Sequence, residues 1–194
     1  FAIVGKGNVP KTIKRVKKYI SCIEEFKMDD ITQEEALTYM LDENGPMHKA
    51  FLHSNNNRDR DGRVVLYTAA GKIIPSEVCK DEKDTNLMAK CLFLMFDTVN
   101  ATIEDTRRGC SMVSFMDGFG WKNFSLKLEK KMSKLYQDAY PIKLKRFILV
   151  DSPWWINALM AMVKVFLKKK IMDIGIGSCL HYFSTNFLCE LNIS

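Results

Sequence analysis

Several short patterns in this chain of 194 residues carry the residue types that phosphate, metal or nucleophile chemistry needs. Gly5-Lys6-Gly7 offers a glycine pair and a cation, but it lacks the longer glycine-rich pattern that cradles phosphate and follows no predicted strand, so it reads as a loop. Asp59-Arg60-Asp61-Gly62 begins like a calcium loop. Val64, Val65 and Tyr67 then stand where further oxygen ligands are needed, which makes it a turn at a strand entry. Arg107-Arg108-Gly109-Cys110 sets a thiol beside two guanidiniums without the His before and the Arg after it that a phosphatase loop requires. His48, His53 and His181 have no Ser, Cys or Asp grouping that suggests a triad. Six cysteines, at 22, 79, 91, 110, 179 and 189, form no C-x-x-C pair and have no histidine at metal-ligand spacing. Cys91 and Cys110 lie in apolar segments and read as small core residues of a reducing compartment. Three Asn-x-Ser/Thr sites, at Asn100, Asn123 and Asn192, have no secretory leader before them to give them meaning. The expectation is a protein that is not an enzyme and has no metal or cofactor.

Side chains that do no chemistry can still make a pocket. Met112, Ser114, Met116, Phe147 and Leu149 stand near the ends of two predicted strands, where an open α/β sheet places its site. With the apolar face of a helix over 123–139 they could line a greasy cavity, to which a content of 11 Met lends adaptability; ordinary core packing is the other reading.

The elements that hold these positions follow from periodicity. Val9–Phe26 and Thr32–Glu43 read as helices, the second opened by the capping-box pair Thr32 and Glu35. Arg63–Tyr67, Cys110–Met116 and Leu144–Val150 read as strands. Asp84–Asp105, Asn123–Ala139 and Trp154–Lys170 read as the helices that follow them. The order α-α-β-α-β-α-β-α implies a mainly parallel sheet with crossover helices. After Ile171 no element is assigned. At 47% hydrophobic and 27% charged, with 10 Gly and 5 Pro, the chain is globular rather than disordered or collagenous. Its net charge of +6 suits either a solvated basic surface or an anionic partner. The longest apolar stretch, Trp154–Leu167, is interrupted by Asn157 and Lys164 and is too short to span a bilayer.

One stretch is specific. Tyr136-Gln137-Asp138-Ala139-Tyr140-Pro141-Ile142-Lys143-Leu144-Lys145, running on through Phe147-Ile148-Leu149-Val150-Asp151-Ser152-Pro153, resembles the central signature of the CRAL-TRIO lipid-binding family. Lys164-Val165-Phe166-Leu167 resembles the family's K-P-F-L, Asp61-Gly62-Arg63-Val64-Val65 its D-x-x-G-R-P-V, and Met116-Asp117-Gly118 its strand-ending D-x-x-G. The resemblance covers about residues 1–171. It implies a monomeric, cytoplasmic protein, peripherally membrane-associated, that holds one lipophilic molecule between a sheet floor and a gate helix and takes no nucleic acid.

By position in the family, Met112, Ser114 and Met116 face the ligand from one strand, Phe124, Met132, Leu135, Tyr136 and Tyr140 from the long helix, and Leu144 and Phe147 from the next strand. Trp155, Leu159, Met162, Val163 and Phe166 form the gate. Lys168, Lys169 and Lys170 would touch an anionic membrane; a core helix with a basic C-terminus is the other reading. The lipid region of a non-receptor tyrosine phosphatase also looks similar, so this could be the lipid-targeting part of such a protein. Ile142 and Ile174 stand where phosphoinositide-binding members carry an acid and a lysine, and the strand and L-P-x-E-Y-G-G segment expected after the gate are missing. The resulting expectation is a partial helical lobe over 1–52, the lipid domain over 53–171 and an atypical tail over 172–194, in an α/β fold truncated at both ends.

Overall fold

The computed structural model describes residues 1–52, 57–165 and 176–179. Helix α1, Val9–Glu25, starts where Asn8 accepts from the Lys11 amide at 2.9 Å. Helix α2, Gln33–Leu41, opens with the expected capping box: the Glu35 amide donates to the Thr32 hydroxyl and the Thr32 amide to the Glu35 carboxylate.

The sheet follows. Strand β1, Phe51–Leu52, pairs antiparallel with β2, Val64–Ala69. From β2 onward the sheet is parallel, through β3 (Cys110–Phe115), β4 (Leu144–Val150) and β5 (Ile176–Cys179), in the order β1-β2-β3-β4-β5. Strand β5 corrects the expectation of no element after Ile171 and no strand beyond the gate. Four residues with a glycine among them carry no readable alternation, and what defines the strand is its pairing with the edge of β4, Phe147 opposite Ile176.

Two crossover helices are shorter than their periodicity suggests. Helix α3, Glu82–Val99, ends at Asn100, because Thr102 accepts from the Asp105 amide at 3.0 Å and starts a separate turn, Ile103–Arg108. Gly109 then needs its positive φ of 82°, and a side chain there would meet the Lys143 carbonyl, which accepts from the Cys110 amide at 2.9 Å. Helix α4, Leu126–Lys134, is capped by Ser125 and passes into a π turn over Leu135–Ala139, closed by the Tyr140 amide on the Leu135 carbonyl at 2.8 Å. Helix α5, Ile156–Lys164, follows β4 after a sharp bend at Asp151, whose φ is 53°.

Right-handed crossovers between successive parallel strands put α3 and α4 on one face. The main core forms there from Leu66 and Cys110 of the sheet, Phe93 and Phe96 of α3, and Met132 and Leu135 beyond. Val65, Tyr67, Val113 and Val150 make a smaller cluster on the other face. Asp59–Gly62 is the expected turn, and its acids do structural work. Asp59 accepts from the Ser111 hydroxyl at 2.6 Å and from Arg63 at 2.9 Å, and Asp61 pairs with both Arg63 and Arg146. Burial would raise the Asp59 carboxyl, but Ser111, the Arg63 and Asp61 amides and the Arg63 guanidinium together hold it below the usual range. Cys22, Cys79, Cys91 and Cys110 are free thiols, and burial pushes Cys91 and Cys110 up to about 12.

Candidate functional site

Register builds the site from the sheet upward. Leu66 lies opposite Met112, and Met112 opposite Phe147; Thr68 lies opposite Ser114, and Ser114 opposite Leu149. With a side-chain period of two, these residues share the helix-backed face. The N-terminal half of that face is filled. Met112 and Leu144 pack against the main core, as do Met132, Leu135 and Tyr136 from α4 and the π turn. Tyr140 belongs to the same core but faces the helical lobe. Its ring meets Phe93 at 5.0 Å and Phe96 at 5.2 Å, its hydroxyl donates to Asp97, and its carbonyl accepts from Arg15 at 3.0 Å.

The C-terminal half is built differently. Met116, Leu149, Ile156 and Leu159 are buried together, with Phe119, Phe124, Phe147 and Trp155 half-buried around them. At the boundary between the halves the Thr68 hydroxyl donates to Ser114 at 3.0 Å, and the Ser114 hydroxyl faces the Met116 sulfur at 3.9 Å. Ser114 thus presents a hydroxyl already oriented by Thr68, a neighbour that sequence reading did not single out.

A buried asparagine clips the mouth of this half together. Asn123 donates to the Gly71 and Ile73 carbonyls, both at 2.9 Å, and accepts from the Gly120 amide at 2.9 Å. The two loops approach so closely that a side chain at Gly71 would collide with the Asp117 carbonyl. An aromatic stack stands on the rim, with Trp155 5.0 Å from Trp121 and 5.9 Å from Phe119. Trp154 is 86% and Trp121 62% exposed. Beside the rim a cleft of about 670 Å³ is lined by Phe124, Leu128 and the lysines 80, 122, 127 and 131.

Of the expected gate residues, Leu159 and Val163 turn inward from α5, Trp155 stands half-buried in the rim stack just before it, and Met162 is on its outer side. Phe166, Lys168, Lys169 and Lys170 lie outside the described residues. Leu149, which the cavity reading already named, stands in the site, and so do Ile156, Phe119 and Thr68, which sequence reading did not single out. The alternation of β4 and the helical spacing of Ile156 with Leu159 carried the signal for the first two, whereas Phe119 and Thr68 are placed by tertiary contact alone. Among the described residues no helix is long and apolar enough to cross a membrane, and no group of three His, Cys, Asp or Glu could hold a metal ion.

This geometry, a parallel sheet whose far end is roofed by one helix with apolar residues beneath it, coincides with a match of the CRAL/TRIO domain family over residues 47–174. The chain belongs to the CRAL/TRIO family. Domains of this family bind lipophilic small molecules. Tyrosine-protein phosphatase non-receptor type 9 of Homo sapiens is 28% identical over 88 residues, 45% of this chain and 15% of the phosphatase. Clavesin-1 of Rattus norvegicus is 29% identical over 122 residues, 59% of this chain and 32% of clavesin-1. Thus the chain spans about a third or less of the length of these relatives. Among solved structures, that of Sfh5 superposes with a TM-score of 0.61 at 12% identity, covering 89% of this chain and 62% of Sfh5, a likeness of fold.

Proposed function

We propose that this CRAL/TRIO chain holds a single lipophilic molecule on the C-terminal half of the helix-backed sheet face, under α5, and exchanges it at an anionic membrane. The observation that carries this is the cluster around Met116, Leu149, Ile156 and Leu159. It is apolar, has the Ser114 hydroxyl, oriented by Thr68, at its inner end, and is covered by one helix on a bent connection. Apolar lining can supply the affinity, since each buried CH₂ contributes about 0.8 kcal/mol, and one hydroxyl can orient a ligand. The rim supports the membrane half of the reading. Tryptophan favours the boundary between headgroups and acyl chains, and Trp121 and Trp154 are exposed beside Lys122 and Lys127. The lysines at 168–170 would add to that attraction.

Native mass spectrometry of the chain purified from a eukaryotic host tests the proposal. One lipid per chain is the expected result. No lipid retained, and none taken up from mixed vesicles by the folded protein, overturns it.

A second reading has its own observation, the 88-residue match to a tyrosine phosphatase. In it the chain is the lipid-targeting region of a larger enzyme and contributes no catalysis itself. A phosphatase reading frame downstream in the same transcript supports this reading, and a stop directly after the lipid domain overturns it.

A further inference from the structure

The sheet has a second face, and its cluster plays no part in the reading above. Val65 and Tyr67 of β2, Val113 of β3 and Val150 of β4 are buried there, with Phe115 and Ile148 half-buried around them. Among the described residues this cluster holds strand residues alone. The helices turn elsewhere. The buried apolar residues of α1 to α4 lie in the main core, as do Met47, Ala50 and Val78 of two short helical turns, and Ile156 and Leu159 of α5 lie in the mouth cluster. At the N-terminal end of the far face the Asp59 turn is bonded to Ser111 at 2.6 Å. Val113, two residues further along β3, is nevertheless 0% exposed. Side chains that stand out from neighbouring strands touch at their flanks and leave their tips in water, so a central valine reaches that value only under a covering layer.

Three segments lie outside the described residues, and two of them are unsuited to that layer. Residues 53–56, His-Ser-Asn-Asn, bring no apolar side chain. Residues 166–175 join α5 to β5, and a right-handed crossover from β4 to β5 runs over the helix-backed face. The third segment, 180–194, follows β5 directly. It leaves the sheet after Cys179, which is paired opposite Val150 of the far-face cluster. From Phe183 onward its residue types alternate. Phe183, Thr185, Phe187, Cys189, Leu191 and Ile193 share one side of an extended chain, and Ser184, Asn186, Glu190, Asn192 and Ser194 fall on the other with Leu188. Crossing from β5 to β2 takes three strand spacings, about 14 Å, and a segment of this length spans about 50 Å when extended.

We propose that the segment 180–194 folds back over the far face of the sheet and covers Val65, Val113 and Ile148 with the side that carries Phe183, Phe187 and Leu191. The occupant of this face is thus part of the same chain. Its serine, asparagine and glutamate side is left to water, which gives the sheet a polar exterior where its strands supply an apolar one. Gly177, opposite Ile148, brings no side chain into the path of the crossing. The inference is independent of the lipophile reading, since the site proposed there lies on the opposite face.

The test uses the full chain with p-benzoylphenylalanine in place of Phe187, and in a second preparation in place of Leu191, irradiated and mapped by tandem mass spectrometry. Cross-links within one chain to Val65, Tyr67, Val113 or Ile148 are the expected result. Cross-links to Met112, Phe147 or the helices overturn the proposal. So do cross-links between chains, which make a second copy the occupant, and so does the absence of any cross-link in the folded protein. Paired substitutions give an independent measure. Phe187→Ser with Leu191→Ser should raise the fluorescence of added anilinonaphthalene sulfonate several-fold, as the far face loses its cover. Asn186→Ser with Asn192→Ser, on the other side of the segment, should leave it unchanged. Unchanged fluorescence in the first pair, or an equal rise in both, overturns the one-sided covering.

Discussion

The two halves of the helix-backed sheet face come from the same three strands and are put to different uses. At the N-terminal half, Leu66, Cys110, Met112 and Leu144 meet side chains from all of α1 to α4, and the space is filled by a single continuous core. At the C-terminal half, Met116, Phe147 and Leu149 meet, among the described residues, loops and α5, and the cluster ends in exposed tryptophans. The residue types are similar, so composition does not separate the halves. What separates them is which elements reach over each. The Thr68–Ser114 hydroxyl pair marks the seam, a polar contact at 3.0 Å in an otherwise apolar face.

The largest effect should come from damage to the filled half. Leu135 is fully buried in the main core, and Leu135→Ala should cost about 2–5 kcal/mol in urea unfolding. Leu159→Ala, on the gate side, should cost less while reducing lipid retention in native mass spectrometry. Equal losses of stability, with lipid retained, would erase the distinction between the halves.

Next comes the clip at the mouth. Asn123→Ala strands the Gly71 and Ile73 carbonyls and should cost about 1–3 kcal/mol. Hydrogen exchange should quicken in the loops around residues 70–73 and 119–124 and remain slow in α3. A uniform increase across the chain would mean that the mouth is not a separate unit.

On the rim, Trp121→Ala with Trp154→Ala should lower co-sedimentation with phosphatidylserine vesicles several-fold and leave the melting temperature within a degree or two, since both rings are largely exposed. Unchanged sedimentation would move the membrane contact elsewhere.

The smallest effect lies on the far face. The Asp59 carboxyl is held below its unfolded value. Its contribution is therefore complete above the unfolded value of about 3.9 and is lost as the pH falls through the lower folded one. In acid titrations followed by circular dichroism, Asp59→Asn should flatten the stability profile below about pH 4 without altering lipid retention.

The fold was legible where local signals agreed. Thr32 and Glu35 marked a helix start that the structure keeps, and the apolar run of β4 lies where its β-branched and aromatic content placed it. Reading failed where a tertiary contact outweighed the local pattern. Val99 and Asn100 continue a helical periodicity that the Thr102 cap cuts off, and β5 exists through its partner strand rather than through its own four residues. The site was half legible. The ends of the strands assign Met116 and Phe147 to one place, and the family resemblance adds Leu159 and Tyr140, but the Tyr140 bonds to Asp97 and Arg15 draw it to α3 and α1 instead. Loop contacts such as Phe119 with Trp155 leave no trace in spacing.

The bend at Asp151 has a mechanical consequence. The Met116 amide donates to the Val150 carbonyl at 2.8 Å, so the sheet holds the chain up to the residue before the bend. Beyond it, Pro153 fixes one more φ and α5 begins at Ile156. The connection is thus a fulcrum one residue wide, held in a conformation that aspartate tolerates better than most side chains. If α5 serves as the gate of the proposed function, a swing about that point would uncover Met116, Leu149 and Phe147 without breaking a rung of the ladder between β3 and β4, and the helix would work as a lever whose short arm is already anchored.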